Sequence, residues 1–179
     1  MTEENIIKGC IRGRSDCQRM LFDRYAGKLM SLCQRYARDY EEAQDFLQLG
    51  FIRIFEYLHQ YRGEGSLEGW MRKLVARVAI REISKRKWHL DESSIPAAQQ
   101  LVEDPAVWSK ISEEEIHRLI CKLPEGYRLV FNLHIIEGYS HEEIGELLSI
   151  QPSTSRSQLL KARRLLQSLI SNQMNCVKV

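Results

Sequence analysis

Between Ser153 and Arg164 the chain sets hydroxyls and an amide among cations: Ser153, Thr154, Ser157 and Gln158 stand beside Arg156, then Lys161, Arg163 and Arg164. Hydroxyl and amide groups can exchange hydrogen bonds with base edges, while Arg and Lys neutralise phosphate oxygens. No acidic residue follows Gln151. A second cationic run comprises Arg72, Lys73, Arg77, Arg81, Lys85, Arg86 and Lys87, interrupted by Glu82 alone. Between the two runs lies an acidic stretch, with Asp91, Glu92, Glu103, Asp104, Glu113, Glu114 and Glu115 against Lys110. Net charge is only +2, so the cations are gathered in two places instead of forming a general polyanion-binding field. Two phosphate-contacting sites on one molecule are expected.

Catalytic chemistry has little to build on. There is no Gly-rich phosphate loop, no H-E-x-x-H and no C-x-x-C pair. His117 and Cys121 fall one helical turn apart and could share a metal, but no third ligand accompanies them, and a structural role fits better. No catalytic residue, cofactor or metal is therefore expected. Cysteines 10, 17, 33, 121 and 176 read as reduced thiols of a cytoplasmic protein. The N-terminus is polar and acidic, and no apolar run is long enough to span a bilayer.

Helices must position these groups. Apolar residues recur with helical periodicity over roughly 15–37, 41–60, 66–87, 112–122, 125–136, 141–148 and 153–170, with a shorter helix near 3–10. No segment alternates as a strand, so the expected fold is all-α. A hydrophobic content of 44% suffices for packed cores. Residues 89–111 hold Pro96, Pro105 and paired Ser and Gln with little periodicity. They read as a flexible linker between a domain at 1–88 and a smaller one at 112–179.

Within the second domain, Ser140-His141-Glu142-Glu143 fits a capping box, in which Ser140 and Glu143 each satisfy an orphan amide. The helix it opens carries Ile144, Leu147 and Leu148 on one side. Ser149-Ile150-Gln151 forms a turn, and Pro152 suits the first position of the next helix. There Leu159, Ala162 and Leu166 share a face with Ser155, leaving Ser153, Thr154, Ser157, Leu160, Lys161 and Arg164 opposite, flanked by Arg156 and Gln158. A helix-turn-helix lays such a helix in the DNA major groove. An amphipathic helix with a merely solvated basic side has the same periodicity; the capped helix and tight turn before it favour the DNA reading.

These residues carry a family resemblance. Leu123-Pro-Glu-Gly-Tyr-Arg, Glu137-Gly-Tyr-Ser-His-Glu-Glu-Ile, Glu146-Leu-Leu-Ser-Ile and Ser157-Gln-Leu-Leu-Lys-Ala-Arg resemble domain four of bacterial sigma factors. The match is to the extracytoplasmic-function (ECF) group, which keeps only sigma domains two and four. The resemblance implies that Ser153, Thr154, Arg156, Ser157, Gln158, Lys161, Arg163 and Arg164 bind the minus-thirty-five promoter element. Ser155 stands where the family usually has an apolar residue.

The first domain agrees. The helix expected from Glu41 to Gln60 buries Ala43, Leu47, Phe51, Ile54, Phe55 and Leu58. It turns Asp45, Leu49, Ile52, Arg53 and Glu56 outward, with Gln48 beside them. Two aliphatics among charges read equally as a docking surface or as side chains covered by a neighbouring helix. The run Ala43-Gln-Asp-Phe-Leu-Gln-Leu-Gly-Phe-Ile-Arg-Ile-Phe resembles the sigma segment that grips the clamp of the polymerase β′ subunit. By that resemblance Asp45, Gln48, Leu49, Ile52 and Arg53 are candidate contacts to core polymerase, Leu49 replacing an acid common in the family.

Tyr61-Arg-Gly-Glu-Gly-Ser, followed by Trp70, is similar to the sigma loop and helix that open the minus-ten element. Melting requires a pocket for unstacked bases beside a cationic track for the single strand. The loop is expected to supply the pocket, and the helix capped by Ser66 the track. The candidate residues are Tyr61, Arg62, Ser66, Lys73, Arg77, Arg81, Lys85 and Arg86. Leu67, Met71, Leu74, Val75 and Val78 form the expected core stripe, and Trp70, bordering it, reads as core. The family commonly has asparagine at Arg77 and an acid at Arg81.

Membership would imply three partners: polymerase core at its β′ clamp and β flap, promoter DNA, and an inhibiting anti-sigma factor. No small-molecule substrate is implied. The chain would be cytoplasmic, on the nucleoid when in holoenzyme and at the membrane if its antagonist is anchored there. On the residues alone, a stand-alone helix-turn-helix regulator acting as a dimer on palindromic sites stays open. So does an antagonist that uses its helices only for protein contacts.

Overall fold

The computed structural model describes residues 2–85 and 112–176, and every regular element among them is helical. Arg86, Lys87 and the linker expected at 89–111 lie outside the described residues. The chain divides into two compact units, Met1–Arg86 and Lys87–Val179.

The first unit contains α1 (Glu3–Ile11), α2 (Ser15–Tyr36), α3 (Tyr40–Tyr57, continued by a 3-10 turn over Leu58–Gln60) and α4 (Leu67–Ser84). Leu21, Tyr25, Leu29, Leu32 and Tyr36 recur every three or four residues, placing a buried stripe along α2. From α3 come Ala43, Phe46, Leu47, Phe51 and Ile54. Asp39 caps α3 by accepting from the Glu42 amide at 2.8 Å. Glu42 is itself buried, where it accepts from the Arg38 amide at 2.7 Å and from its guanidinium at 3.3 Å.

Helix α4 is rotated from the expected register. Leu67, Met71 and Val75 are buried as expected, but the stripe continues through Ala76, Ala79, Ile80 and Ile83. Leu74 and Val78 are only half-buried, as is Phe55 on α3. The reason is that α4 packs against both α2 and α3, so its buried arc is set by two neighbours instead of one. Small side chains serve this packing. A Cβ on Gly50 would stand 2.9 Å from Val75 Cγ2, and Val75 is a β-branched residue with little rotamer freedom in a helix. Gly50→Ala should therefore destabilise the unit although alanine favours helix. Overpacking costs about 1–3 kcal/mol, against a propensity gain of about 0.5–1 kcal/mol. Urea unfolding of the two proteins checks this; a raised midpoint for the variant would contradict the close crossing.

The second unit contains α5 (Glu113–Cys121), α6 (Glu125–Phe131), α7 (His141–Leu148) and α8 (Pro152–Cys176). Leu119, Ile120, Leu123 and Tyr127 meet Ala162, Leu166 and Ile170 in its core. Capping boxes open two helices: Ser140 with Glu143 on α7, as expected, and Ser112 with Glu115 on α5. Helix α6 does not run on regularly to residue 136; it widens into a π-helical turn over Asn132–Ile136. Helix α8 extends past the expected end at 170, to Cys176.

Burial pushes the Cys10 thiol up to about 11 and the Cys33 thiol up to about 12, so both are packing groups at neutral pH. Cys121 Sγ lies 3.9 Å from His117 Nδ1, and no cluster of three metal-ligating side chains occurs among the described residues. No helix among them is long and apolar enough to cross a membrane.

Candidate nucleic-acid interface

Local chemistry aims α8. Helix α7 ends on Ser149 in the left-handed region, at φ 55° and ψ 43°, and the Ile150 amide donates to the Gly145 carbonyl at 3.0 Å. Only glycine fits at 145, since a Cβ there would meet the Ile150 carbonyl oxygen at 2.8 Å. The chain then enters α8 at Pro152, whose missing N–H costs nothing at a first helical position.

From that start Ser153, Arg156, Ser157, Leu160, Arg163 and Arg164 emerge exposed, while Thr154 and Lys161 are half-buried. They form one continuous face, half of it cationic and none of it acidic. Gln158 does not join it. It is 4% exposed, because it lies three residues after Ser155 and four before Ala162, on the inward stripe. Its place among the base-reading candidates is therefore corrected: it is a packing residue. Ser157 donates to the Thr154 carbonyl at 2.9 Å, which leaves its lone pairs outward. Arg156 reaches Glu142 on α7 at 3.5 Å, a largely exposed pair that solvent screens and that adds little stability. Ser155 is fully buried, and its hydroxyl lies 2.9 Å from His141 Nδ1, so α8 docks on α7 through a polar contact where the family usually has an apolar one.

In the first unit a groove of about 540 Å³ opens between α3 and α4. Arg77, Arg81 and Lys85 line it together with Trp70, Leu74, Val78, Tyr57, Gln60, Arg53, Leu49 and Glu82, whose carboxylate pairs with Lys85 at 2.6 Å. One expectation is corrected here. Trp70 is half-buried on the groove wall instead of in the core, and its ring lies 5.7 Å from that of Tyr61, tilted by 52°. The loop residues Tyr61, Arg62 and Ser66 are not part of the lining. They shape the loop instead: the Tyr61 hydroxyl donates to the Gly65 carbonyl at 2.7 Å, and Ser66 caps α4 by accepting from the Gly69 amide at 3.1 Å. Arg62 and Lys73 are exposed outside the groove. Arg86 lies outside the described residues.

The outer face of α3 continues from the groove. Asp45 and Gln48 are exposed beside Leu49, at 38% exposure, and Ile52, at 48%. No helix of the described unit covers these aliphatics. Arg53 is half-buried, with its guanidinium 2.7 Å from Glu56. Leu49 also borders a smaller acidic hollow of about 330 Å³, lined by Glu42, Asp45, Phe46, Gln48 and Glu82. The helix thus offers an apolar ridge between a cationic groove and an acidic hollow.

Comparison with known proteins agrees with this division. Residues 21–89 match the family model described as Sigma-70 region 2, and residues 113–166 the one described as Sigma-70, region 4. The ECF RNA polymerase sigma factor SigW of Bacillus subtilis is 30% identical over 90% of this chain and 92% of its own length. The RNA polymerase sigma-H factor of Pseudomonas aeruginosa is 25% identical over 94% of this chain and 93% of its own. The ECF RNA polymerase sigma-E factor of Escherichia coli is 23% identical over 95% of each. Among solved structures, the sigma factor RpoE in complex with the anti-sigma factor NepR, from Bartonella quintana, shares the fold. Its TM-score is 0.52 at 15% identity, covering 86% of this chain and 96% of that one.

Proposed function

The chain belongs to the extracytoplasmic-function (ECF) sigma factors of bacterial RNA polymerase, and from that premise we propose how its surfaces divide the work. It binds core polymerase and directs promoter-specific initiation. Asp45, Gln48, Leu49, Ile52 and Arg53 on α3 dock on the β′ clamp. The groove walled by Arg77, Arg81, Lys85 and Trp70 holds the melted minus-ten strand, and the exposed face of α8 reads the minus-thirty-five element.

The observation that carries this reading is the pairing of two unlike cationic surfaces, a helix face and an aromatic-walled groove, each on its own unit. A convex helix face suits duplex DNA. A groove with an aromatic wall suits a single strand, where stacking on a ring is worth about 1–3 kcal/mol per base. Arg77 and Arg81 add phosphate attraction where the family has neutral or acidic groups, so minus-ten binding leans more on the backbone and less on base-edge hydrogen bonds. The chain supplies recognition in the cytoplasm while the polymerase core makes the phosphodiester bonds. An anti-sigma factor is the expected antagonist, as in the complex of the structurally similar RpoE.

Reconstitution of the full chain with core polymerase, followed by transcript-start mapping, tests this. Starts should cluster downstream of one pair of sequence elements. A start distribution indistinguishable from that of core alone would overturn the reading. The stand-alone regulator makes the opposite forecast, tight duplex binding without polymerase, which a mobility shift with the chain alone detects.

A further inference from the structure

In the second unit three elements meet through His134, His141 and Ser155. His134 sits in the π-helical turn, a backbone irregularity that recurs at functional positions. Its Nδ1 lies 2.8 Å from the Tyr139 carbonyl oxygen, which can only accept, so Nδ1 carries a proton. The His134 ring stacks on that of His141, the first residue of α7, with centroids 4.3 Å apart and planes 16° from parallel. His141 Nδ1 in turn meets the buried Ser155 hydroxyl of α8 at 2.9 Å. Contacts therefore run unbroken from the π turn through α7 to α8.

The surroundings are unfriendly to a proton. Besides His134, the groups facing His141 are Arg156 and Arg163 from α8 and Glu142 from its own helix. Glu142 lies 3.5 Å from Arg156, which offsets its charge. Burial, then His134 and the arginines, hold His141 below the ordinary histidine value, and Glu142 opposes them only in part. A proton on each ring would set like charges face to face at 4.3 Å.

We propose that the His134–His141 stack is a proton-sensing joint: with neutral rings it seats α8 on α7, and a proton on the stack loosens that seat and weakens minus-thirty-five binding. The DNA consequence rests on the assignment of α8 as reader; the joint itself does not. Because the folded arrangement disfavours the charged His141, the seat is complete above an ordinary value of about 6.5 and is lost as pH falls through the depressed one. Each pH unit between those values changes the seating equilibrium roughly ten-fold. By linkage, DNA that binds the seated form holds the same proton off, so the free chain shows the larger response.

The test uses the full chain between pH 7.5 and 5.5, read by histidine ring NMR and by amide exchange corrected for its intrinsic pH dependence. Exchange in α7 and α8 should rise on acidification, with His141 titrating below the ordinary range. His134→Phe combined with His141→Gln keeps a stacking surface and a hydrogen-bond donor toward Ser155 but cannot titrate there, and its exchange should stay flat. An equal acid response in the double variant, or a His141 titration at or above the ordinary value in the wild type, would overturn the proposal. The second outcome needs no variant to fold. Holoenzyme binding to a mapped promoter at constant salt should weaken with acid in the wild type more than in the variant. Acid-labile exchange in a chain that confers no start-site selectivity would support the joint and overturn only the reader assignment.

Discussion

Changing Lys161, Arg163 and Arg164 together to alanine should lower holoenzyme affinity for its promoter roughly 100-fold at moderate salt, through the loss of phosphate contacts. Arg163 and Arg164 are exposed and Lys161 half-buried, so thermal stability should change little, within about 0.5 kcal/mol. The diagnostic readout is the salt dependence. Each phosphate contact contributes about 0.9 to the slope of log affinity against log salt, so the triple variant should flatten it by about 2–3 units. An unchanged slope would mean that these side chains do not touch the DNA backbone. Gln158 supplies the internal contrast: being buried, its replacement should lower stability and leave the slope alone.

The second large effect is expected on α3. Ile52 is 48% exposed on a ridge that no helix of the described unit covers. A glutamate there would meet an apolar partner surface with a charge while leaving the unit's own core untouched. Ile52→Glu should weaken core-polymerase binding at least about 100-fold, the scale of a disrupted hot spot. All promoter-directed transcription would fall with it, at an unchanged melting temperature. Competition against a labelled wild-type chain for core polymerase measures this. Undiminished competition by the variant would remove the ridge from the polymerase contact. The two variants are separable, since the α8 triple variant should still bind core.

How much of this was legible beforehand depended on the range of the interaction concerned. Ser140 and Glu143, Ser66 and Pro152 were readable because caps and helix starts are decided within four residues. The exposed cations of α8 were readable because charge without a burial partner faces water. Gln158 was misassigned because a one-sided wheel underestimates how wide an arc α8 buries. Leu74, Val78 and Trp70 were misassigned for the related reason that α4 serves two neighbours, which turned its apolar stripe and left a groove where a core edge was expected.

Sequence alone determined the helices, their caps and turns, and the two separate collections of cations, since each follows from hydrogen bonding and periodicity between near neighbours. Tertiary structure alone decided three further features. It set Arg77, Arg81 and Lys85 along an α3–α4 groove together with Trp70, turned Gln158 inward, and joined His134, His141 and Ser155 across the π turn, α7 and α8. Those outcomes depend on which surfaces cover one another when helices pack, and a helical period states which face is apolar without stating what will lie against it.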